Sequence, residues 1–281
     1  MFKINTPKII QQCKRYYTNG IQNKFNEIEK SFDFVLPPYQ ATIIRLDGKS
    51  FGKMTDNIKL NKPHDNRFHE AMLDASMALC NHFIGTQLVY SFSDEINLLL
   101  YSNYPSKQFL SNRIQKLVSI SSSIASVHFS NKLESLLNND KQSQQQQQQQ
   151  IYSFFDSRVF VLPFEDVNEY FANRQKRCYA NCLNSIISSN RNGNGKGNEN
   201  VLGRKLKFQQ EYIEKDLLIS LDQYPDHFQK GFLITKSINE NDDSVKWICS
   251  TSTQSTNNNN NDNSKLTWFH KDPNYIYNLI K

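Results

Sequence analysis

Two aspartates stand at the ends of apolar segments, where a carboxylate is costly to bury without a partner. Asp47 closes the run Ala41 to Asp47, whose apolar and β-branched residues predict a buried strand. Asp94 lies between two further strand-like runs, Gln87 to Phe92 and Ile96 to Tyr101. Each aspartate alone is typical of a turn or a helix cap. Together, at the ends of two strands of one sheet, they are predicted to bind divalent cations and to be catalytic.

The segment Gly48 to Lys53, which follows Asp47, has a composition suited to phosphate binding. Its two glycines let a phosphate chain approach the backbone N–H groups, and its two lysines neutralise negative charge. Two Mg²⁺ ions, which prefer oxygen ligands and keep substrate phosphates in their shell, would stabilise the entering and leaving oxygens of an in-line displacement. The pattern therefore favours nucleotide-dependent phosphoryl transfer.

The elements that must position these residues alternate between strands and helices. After the strand that ends at Asp47, the pattern predicts a helix, a hairpin that carries Asp94, a long helix, a strand, a helix and a last strand. The predicted ranges of these later elements are Asp65 to His82, Gln87 to Tyr101, Phe109 to Leu137, Ser157 to Leu162, Val167 to Ile187 and Gly231 to Thr235. This order predicts an α+β or α/β domain with helices packed on one sheet.

The net charge of +6 in this chain of 281 residues is concentrated near the N-terminus. Residues 1–24 contain five basic residues and no acidic residue, so the remainder has a net charge of only +1. Overall basicity is thus weak evidence for nucleic-acid binding. The five cysteines are few and widely spaced, which argues against a disulfide scaffold or a zinc site. No apolar run approaches the roughly 20 residues of a membrane span, so no membrane association is expected.

Residues 1–24 are basic and contain only short apolar pieces, which is typical of a mitochondrial presequence rather than a secretory signal. A disordered basic tail on a cytoplasmic protein is the alternative. Polar tracts at about 138–150, 190–200 and 251–264 are rich in Gln, Asn or Gly and are predicted to be disordered. These boundaries predict one catalytic domain over residues 25–236 and a partly low-complexity C-terminal extension over 237–281.

Seven motifs, in this order along the chain, together resemble the tRNA(His) guanylyltransferase family. The similarity spans roughly Lys24 to Lys236, and the order of the whole set makes it specific. The motifs are RLDGKSF (Arg45 to Phe51), KPHD (Lys62 to Asp65), SFSDEINLLL (Ser91 to Leu100), RIQK (Arg113 to Lys116), FDSRV (Phe155 to Val159), RQ (Arg174 and Gln175) and FQKG (Phe228 to Gly231).

The resemblance implies a palm like that of forward polymerases and diguanylate cyclases, with an antiparallel-containing sheet and helices packed on it. Two Mg²⁺ ions would be held by Asp47, Asp94 and the backbone carbonyl of Gly48. The nucleotide would be bound by Asp47, Gly48, Lys49, Ser50, Phe51, Gly52, Ser93 and Asp94, and its triphosphate by Arg113 and Lys116.

The resemblance also implies a reaction and its partners. ATP activates the 5′-monophosphate of a tRNA, and GTP or another nucleoside triphosphate is then added in the 3′-to-5′ direction. The family further suggests a homo-oligomer, specifically a tetramer.

Departures from the family pattern bear on the choice of tRNA. Enzymes specific for tRNA(His) carry HINNLYN after the RQ pair, whereas this chain reads YANCLNS over Tyr179 to Ser185. Gly52 and Asn173 also replace a histidine and a tryptophan of the family. These differences favour the guanylyltransferase-like branch, which repairs or edits truncated 5′ ends. The alternatives are guanosine addition to tRNA(His), a palm-type nucleotidyl cyclase, which lacks support because the GG-D/E-E-F hairpin is absent, and a silent tRNA-binding protein.

Overall fold

The computed structural model describes residues 21–101, 109–141, 150–190, 201–238, 245–250 and 266–280. Most of the predicted presequence and of the three polar tracts lies outside these residues. Eight helices and six strands are described, besides short 3₁₀ turns. The helices are α1 (Ile21–Ser31), α2 (Phe51–Asn57), α3 (Asn66–His82), α4 (Ile114–Lys141), α5 (Val167–Ser189), α6 (Leu206–Lys215), α7 (Asp226–Lys230) and α8 (Tyr275–Ile280). The strands are β1 (Ala41–Gly48), β2 (Thr86–Phe92), β3 (Glu95–Leu100), β4 (Phe155–Leu162), β5 (Phe232–Ile238) and β6 (Val245–Ser250).

The six strands form one antiparallel sheet in the order β4-β1-β3-β2-β5-β6. The strand that ends in Asp47 lies between β3 and β4, and β2 and β3 form the hairpin whose tip is Ser93 and Asp94. The α+β class and the hairpin predicted from the sequence are confirmed.

Both faces of the sheet are covered by helices, which explains why its central strands are continuous apolar runs rather than alternating ones. Side chains alternate between the faces along each strand. Ile44 and Leu46 pack in the cluster formed with α3 and α4, whereas Ile43 packs in the cluster formed with α5 and α8. None of the helices among the described residues is long and apolar enough to cross a membrane.

The segment predicted as a C-terminal extension contributes to the sheet and to the core. The boundary predicted at residue 236 falls inside β5, and β6 pairs with β5 along the edge of the sheet. Phe269 and Ile276 are fully buried against α5. Gln175 fixes this segment, since its Oε1 accepts a hydrogen bond from Phe269 N at 2.7 Å and its Nε2 donates to Thr267 O at 3.0 Å.

Candidate active site

The structure brings Asp47 and Asp94 together at one end of the sheet. Asp47 lies opposite Glu95 in the β1–β3 register, and Gly48 N donates a hydrogen bond to Asp94 O at 3.0 Å. Burial and the nearby Asp47 raise the pKa of Asp94 to about 6. Burial also raises the pKa of Asp47, helped by Glu95 and Asp156. Neighbouring carboxylates whose pKa values are raised in this way form a site that favours a cation.

Glu95, although next to Asp94 in sequence, does not contribute its carboxylate to the candidate cation site. It is buried, and its carboxylate accepts a hydrogen bond from Arg174 Nε at 2.8 Å and a second one from Arg174 Nη2. Asn97 Nδ2 also donates to Glu95 Oε1 at 2.8 Å. Successive side chains of a strand point to opposite faces, so Glu95 meets α5 while Asp94 stays at the hairpin tip. Arg174 therefore anchors the strand that begins directly after Asp94.

The turn after β1 leads directly into helix α2, which the sequence analysis missed. Ser50 adopts a left-handed conformation (φ 61°) at the start of this helix. Phe51 folds back over Gly48, where a Cβ would lie 2.6 Å from the Phe51 ring, so only glycine fits. The Phe51 ring is buried between Phe129 and Phe155 at 4.9 Å from each. Aromatic packing thus fixes the turn beside Asp47.

A cavity of about 650 Å³ opens beside the carboxylates. Four of the predicted nucleotide-binding residues line it, namely Phe51, Gly52, Ser93 and Asp94. A Cβ at Gly52 would meet nothing within 4 Å, so the approach to the cavity is open there. Lys49 and Ser50 are exposed on the adjoining turn. The volume is within the range of small-molecule and cofactor sites.

Another part of the cavity wall contains residues to which the sequence analysis gave no role. Asp65 caps α3 through a hydrogen bond from Arg67 N to its Oδ1 at 2.9 Å, and its Oδ2 accepts one from Asn61 N at 2.9 Å. Burial alone would raise the pKa of Asp65, but hydrogen bonds from Arg67 and Asn61 lower it to about 2. The KPHD motif could have indicated this role, since Asp is a preferred N-cap residue.

Three histidines from two separate segments meet in this wall. His64 Nε2 lies 2.8 Å from His227 Nε2, and the His69 ring stacks on His227 with centroids 3.7 Å apart. Burial lowers the pKa of His64, that of His69 to about 4 and that of His227 to about 3. All three rings are therefore neutral at neutral pH. No local sequence pattern could have predicted this histidine cluster, because His227 is 163 residues from His64.

The histidine cluster predicts an acid-sensitive fold. Below pH 6.5 the unfolded chain binds more protons at these histidines than the folded chain does, so the free energy of unfolding falls as pH is lowered from 7 towards 4. For His227 the loss between pH 7 and 5 is about 1–2 kcal/mol. Asp94, whose pKa is raised, has the opposite dependence. Urea unfolding at pH 7.5 and 5.0 should show that the free energy of unfolding decreases less between these pH values in His227→Phe than in wild type. His270→Phe, at an exposed position, serves as the control, and equal losses in wild type and His227→Phe would contradict the prediction.

Arg113 and Lys116 are not brought to the carboxylates within one chain. Phe155, which pairs with Gly48, donates its N–H to Ser126 Oγ at 3.1 Å. Arg113 precedes Ser126 by thirteen residues, which corresponds to about 20 Å along a helix axis. There Arg113 forms an ion pair with Asp33 at 2.6 Å, while Lys116 is exposed.

The residues that replace the HINNLYN motif have structural partners. Tyr179 donates a hydrogen bond to Gln210 Oε1 at 3.0 Å and contacts Trp268 edge-on. Cys182 is buried in an apolar cluster between α5 and α6. Cys182 also lines the cavity, together with Asn181, Asn184 and Ser185. Part of this stretch of α5 thus faces the cavity, and part of it supports α6.

The residues present fit Mg²⁺. Within the described ranges no group of three His, Cys, Asp or Glu side chains could enclose a metal ion. Two carboxylates nevertheless suffice for Mg²⁺, which keeps waters and takes substrate phosphates as further ligands. Asp47 and Asp94 supply these carboxylates, and the carbonyl of Gly48 lies on the same strand end.

A palm-like sheet with paired carboxylates beside a nucleotide-sized cavity defines the class of palm-type nucleotidyltransferases. A sequence profile of the tRNAHis guanylyltransferase family matches residues 22–163. The chain belongs to this family, whose members are nucleotidyltransferases. The motifs that suggested the family in the sequence were therefore interpreted correctly.

Two curated proteins share this similarity. The tRNA(His) guanylyltransferase of Debaryomyces hansenii is 28% identical over 233 residues, which covers 78% of this chain and 84% of that protein. The uncharacterized protein R259 of Acanthamoeba polyphaga mimivirus is 28% identical over 181 residues, covering 58% of this chain and 60% of the viral protein. The chain thus spans less than two thirds of the viral relative.

Solved structures of similar fold come from bacteria and yeast. A bacterial tRNA(His) guanylyltransferase (Thg1)-like protein in complex with ATP has a TM-score of 0.75 at 22% identity, covering 93% of this chain and 99% of the bacterial one. The corresponding GTP complex has a TM-score of 0.67 at 21% identity with the same coverage. The Saccharomyces cerevisiae tRNA(His) guanylyltransferase has a TM-score of 0.61 at 20% identity, covering 77% and 93%. These structures support the palm fold.

Proposed function

We propose that this protein adds nucleotides to the 5′ ends of tRNAs in the 3′-to-5′ direction. The observation that carries the proposal is the pairing of Asp47 and Asp94 beside a cavity large enough for a nucleotide. ATP transfers its adenylyl group to the 5′-monophosphate and releases pyrophosphate. The 3′-hydroxyl of a second nucleoside triphosphate then attacks the activated phosphorus, and AMP leaves. Binding of ATP and GTP by bacterial guanylyltransferase-like proteins supports this choice of substrates.

The residues of the chain contribute mainly position and charge to this reaction. Asp47 and Asp94, with the carbonyl of Gly48, would hold two Mg²⁺ ions, which would neutralise the phosphates and lower the pKa of the attacking hydroxyl. The open approach at Gly52 admits the phosphate chain, and Lys49 and Lys53 flank it. Arg174 and Glu95 keep the hairpin tip in place behind Asp94.

Templated repair of truncated 5′ ends, rather than guanosine addition to tRNA(His), is the reaction that we assign. In place of HINNLYN, Tyr179 contacts Gln210 of α6 and Trp268, and Cys182 packs in the apolar cluster between α5 and α6 at the edge of the cavity, so both side chains serve packing. Watson–Crick pairing with the opposite strand can then supply selectivity.

In a competition between a 5′-truncated tRNA and intact tRNA(His), the truncated tRNA should be extended with an efficiency at least about 10-fold higher. It should receive whichever nucleotide pairs with the 3′ strand, as read by product sequencing. A preference for intact tRNA(His) would contradict repair, and no addition to either tRNA would contradict the proposed function.

The separation of Arg113 and Lys116 from the carboxylates leads us to infer a homo-oligomer in which these cations reach the triphosphate held by another copy. This arrangement would reconcile their predicted role with their positions, which lie about 20 Å (Arg113) and about 15 Å (Lys116) along the axis of α4 from Ser126. A tetramer, suggested by the family, would allow such an exchange between copies.

Complementation between inactive variants tests this assembly. Asp94→Ala and Lys116→Ala should each be inactive alone, whereas their mixture, after co-refolding, should regain about a quarter of wild-type activity through hybrid sites. Lys116 suits this test because it is exposed, so its loss leaves the Arg113–Asp33 ion pair intact. A mixture that stays inactive would show that both residues act within one chain.

We further propose that residues 1–24 direct the protein to mitochondria, because this basic, acid-free segment holds five of the six net positive charges. A fusion of this segment to a fluorescent protein tests the proposal. A diffuse cytosolic signal would indicate a cytoplasmic protein with a basic tail.

A further inference from the structure

The part of the cavity wall formed by His64 and His227 contains a buried polar atom without a partner. His227 is 8% exposed, and its Nδ1 is buried without a hydrogen-bond partner. His64, on the same wall, is half-buried and makes its hydrogen bond to His227 through Nε2. Buried polar atoms without partners are uncommon in native proteins and call for an explanation such as a ligand. Both histidines line the same cavity as Asp94.

The contact between the two histidines constrains their tautomers. A neutral imidazole carries one N–H and one bare nitrogen. Because the two Nε2 atoms lie 2.8 Å apart, one of them donates and the other accepts. When His64 donates, its Nδ1 is an acceptor and His227 Nδ1 carries hydrogen. In the reverse arrangement the Nε2 proton crosses to His227, Nδ1 of His64 gains a proton and Nδ1 of His227 releases one, so each ring stays neutral.

The lowered pKa values of His64, His69 and His227 are consistent with neutral rings at physiological pH. The surroundings of the pair also suit a flat ligand. Phe228 lies 5.3 Å from His64, and His69 stacks on His227. Aromatic surfaces of this kind accept nucleobases regardless of their identity.

We propose that the His64–His227 pair binds the major-groove edge of the nucleobase, and that its two tautomeric arrangements allow it to accept all four bases. On that edge the exocyclic group is a donor in adenine and cytosine and an acceptor in guanine and uracil. A histidine pair that can present either polarity bonds to both kinds. The Watson–Crick edge then stays free for the template strand. This inference rests on the proposed function. In it, the template strand rather than the protein selects which nucleotide is added.

Equilibrium binding of nucleotides to the full chain, measured by calorimetry with Mg²⁺, tests the proposal without requiring turnover. Wild type should bind ATP and GTP with similar affinity, and purine riboside triphosphate, which lacks the exocyclic group, about 10-fold more weakly. In His64→Phe, which keeps a ring but no polar atoms, ATP and GTP should bind as weakly as the analogue. His227→Phe should lose part of the same preference, whereas His270→Phe should behave as wild type.

The outcomes separate this inference from the proposed function. Unchanged ATP and GTP affinity in a folded His64→Phe variant, with its fold checked by circular dichroism, would overturn the base-binding role. Equal weakening of all three nucleotides would show that the histidines only support the cavity wall, which also overturns it. Addition to tRNA is a separate measurement. Its absence in wild type that binds nucleotides as expected would contradict the proposed function alone.

Discussion

Asp47→Ala and Asp94→Ala should each reduce nucleotide addition at least about 100-fold at saturating Mg²⁺, because each removes one of the two carboxylates that we propose hold the cations. The metal-free variants should stay folded. Burial and the neighbouring Asp47 raise the pKa of Asp94 to about 6, so above that pH its ionisation opposes folding. Asp94→Asn should therefore have a higher free energy of unfolding in urea than wild type at pH 7, by about 1–2 kcal/mol.

A readout of metal binding separates loss of ligands from loss of fold. Mg²⁺ should raise the melting temperature of wild type, since a ligand that binds only the folded state stabilises it, and should have little effect on Asp94→Asn. Asp222→Ala, an exposed carboxylate on a 3₁₀ turn away from the cavity lining, should match wild type in both assays. Residual activity above a few per cent in either alanine variant would show that Asp47 and Asp94 are not the metal ligands.

Arg174→Met should lower the free energy of unfolding by about 3–5 kcal/mol, because it leaves the carboxylate of Glu95 buried without its cation. Both side chains are only 8% exposed, and Arg174 bonds to both oxygens of Glu95. Below the melting temperature, kcat should also fall, since Asp94 is adjacent to the strand residue that Arg174 anchors. Urea unfolding and single-turnover kinetics measure the two effects.

Two companion variants make the Arg174 result specific. Arg177→Met, three residues further along α5 and exposed, should change stability by less than about 0.5 kcal/mol. The double variant Glu95→Leu with Arg174→Met should recover much of the lost stability, because no buried charge remains unpaired. If the double variant is as unstable as Arg174→Met, the contact of the Arg174 guanidinium with the Phe92 ring, rather than the ion pair, supports the hairpin.

Elements that the sequence predicted well are those with strong local signals. The strand that ends at Asp47, the Ser93–Asp94 hairpin and the long helices α3, α4 and α5 follow from hydrophobic patterns and turn residues. Helix α2 was missed because it is short and contains Gly52 and Thr55, which are weak helix formers. Its stability comes from the burial of Phe51 against residues that are distant in sequence.

The sequence by itself determined that two acidic residues end neighbouring strands, since strand periodicity and turn chemistry are local properties of the chain. Only the tertiary structure decided which charges share a site. It paired Glu95 with Arg174 on one face of the sheet and placed His64 against His227. It also left Arg113 far from the carboxylates, about 20 Å along α4 from Ser126, which lies beside them. Such pairings depend on how the helices cross the sheet, and sequence spacing carries no record of that geometry.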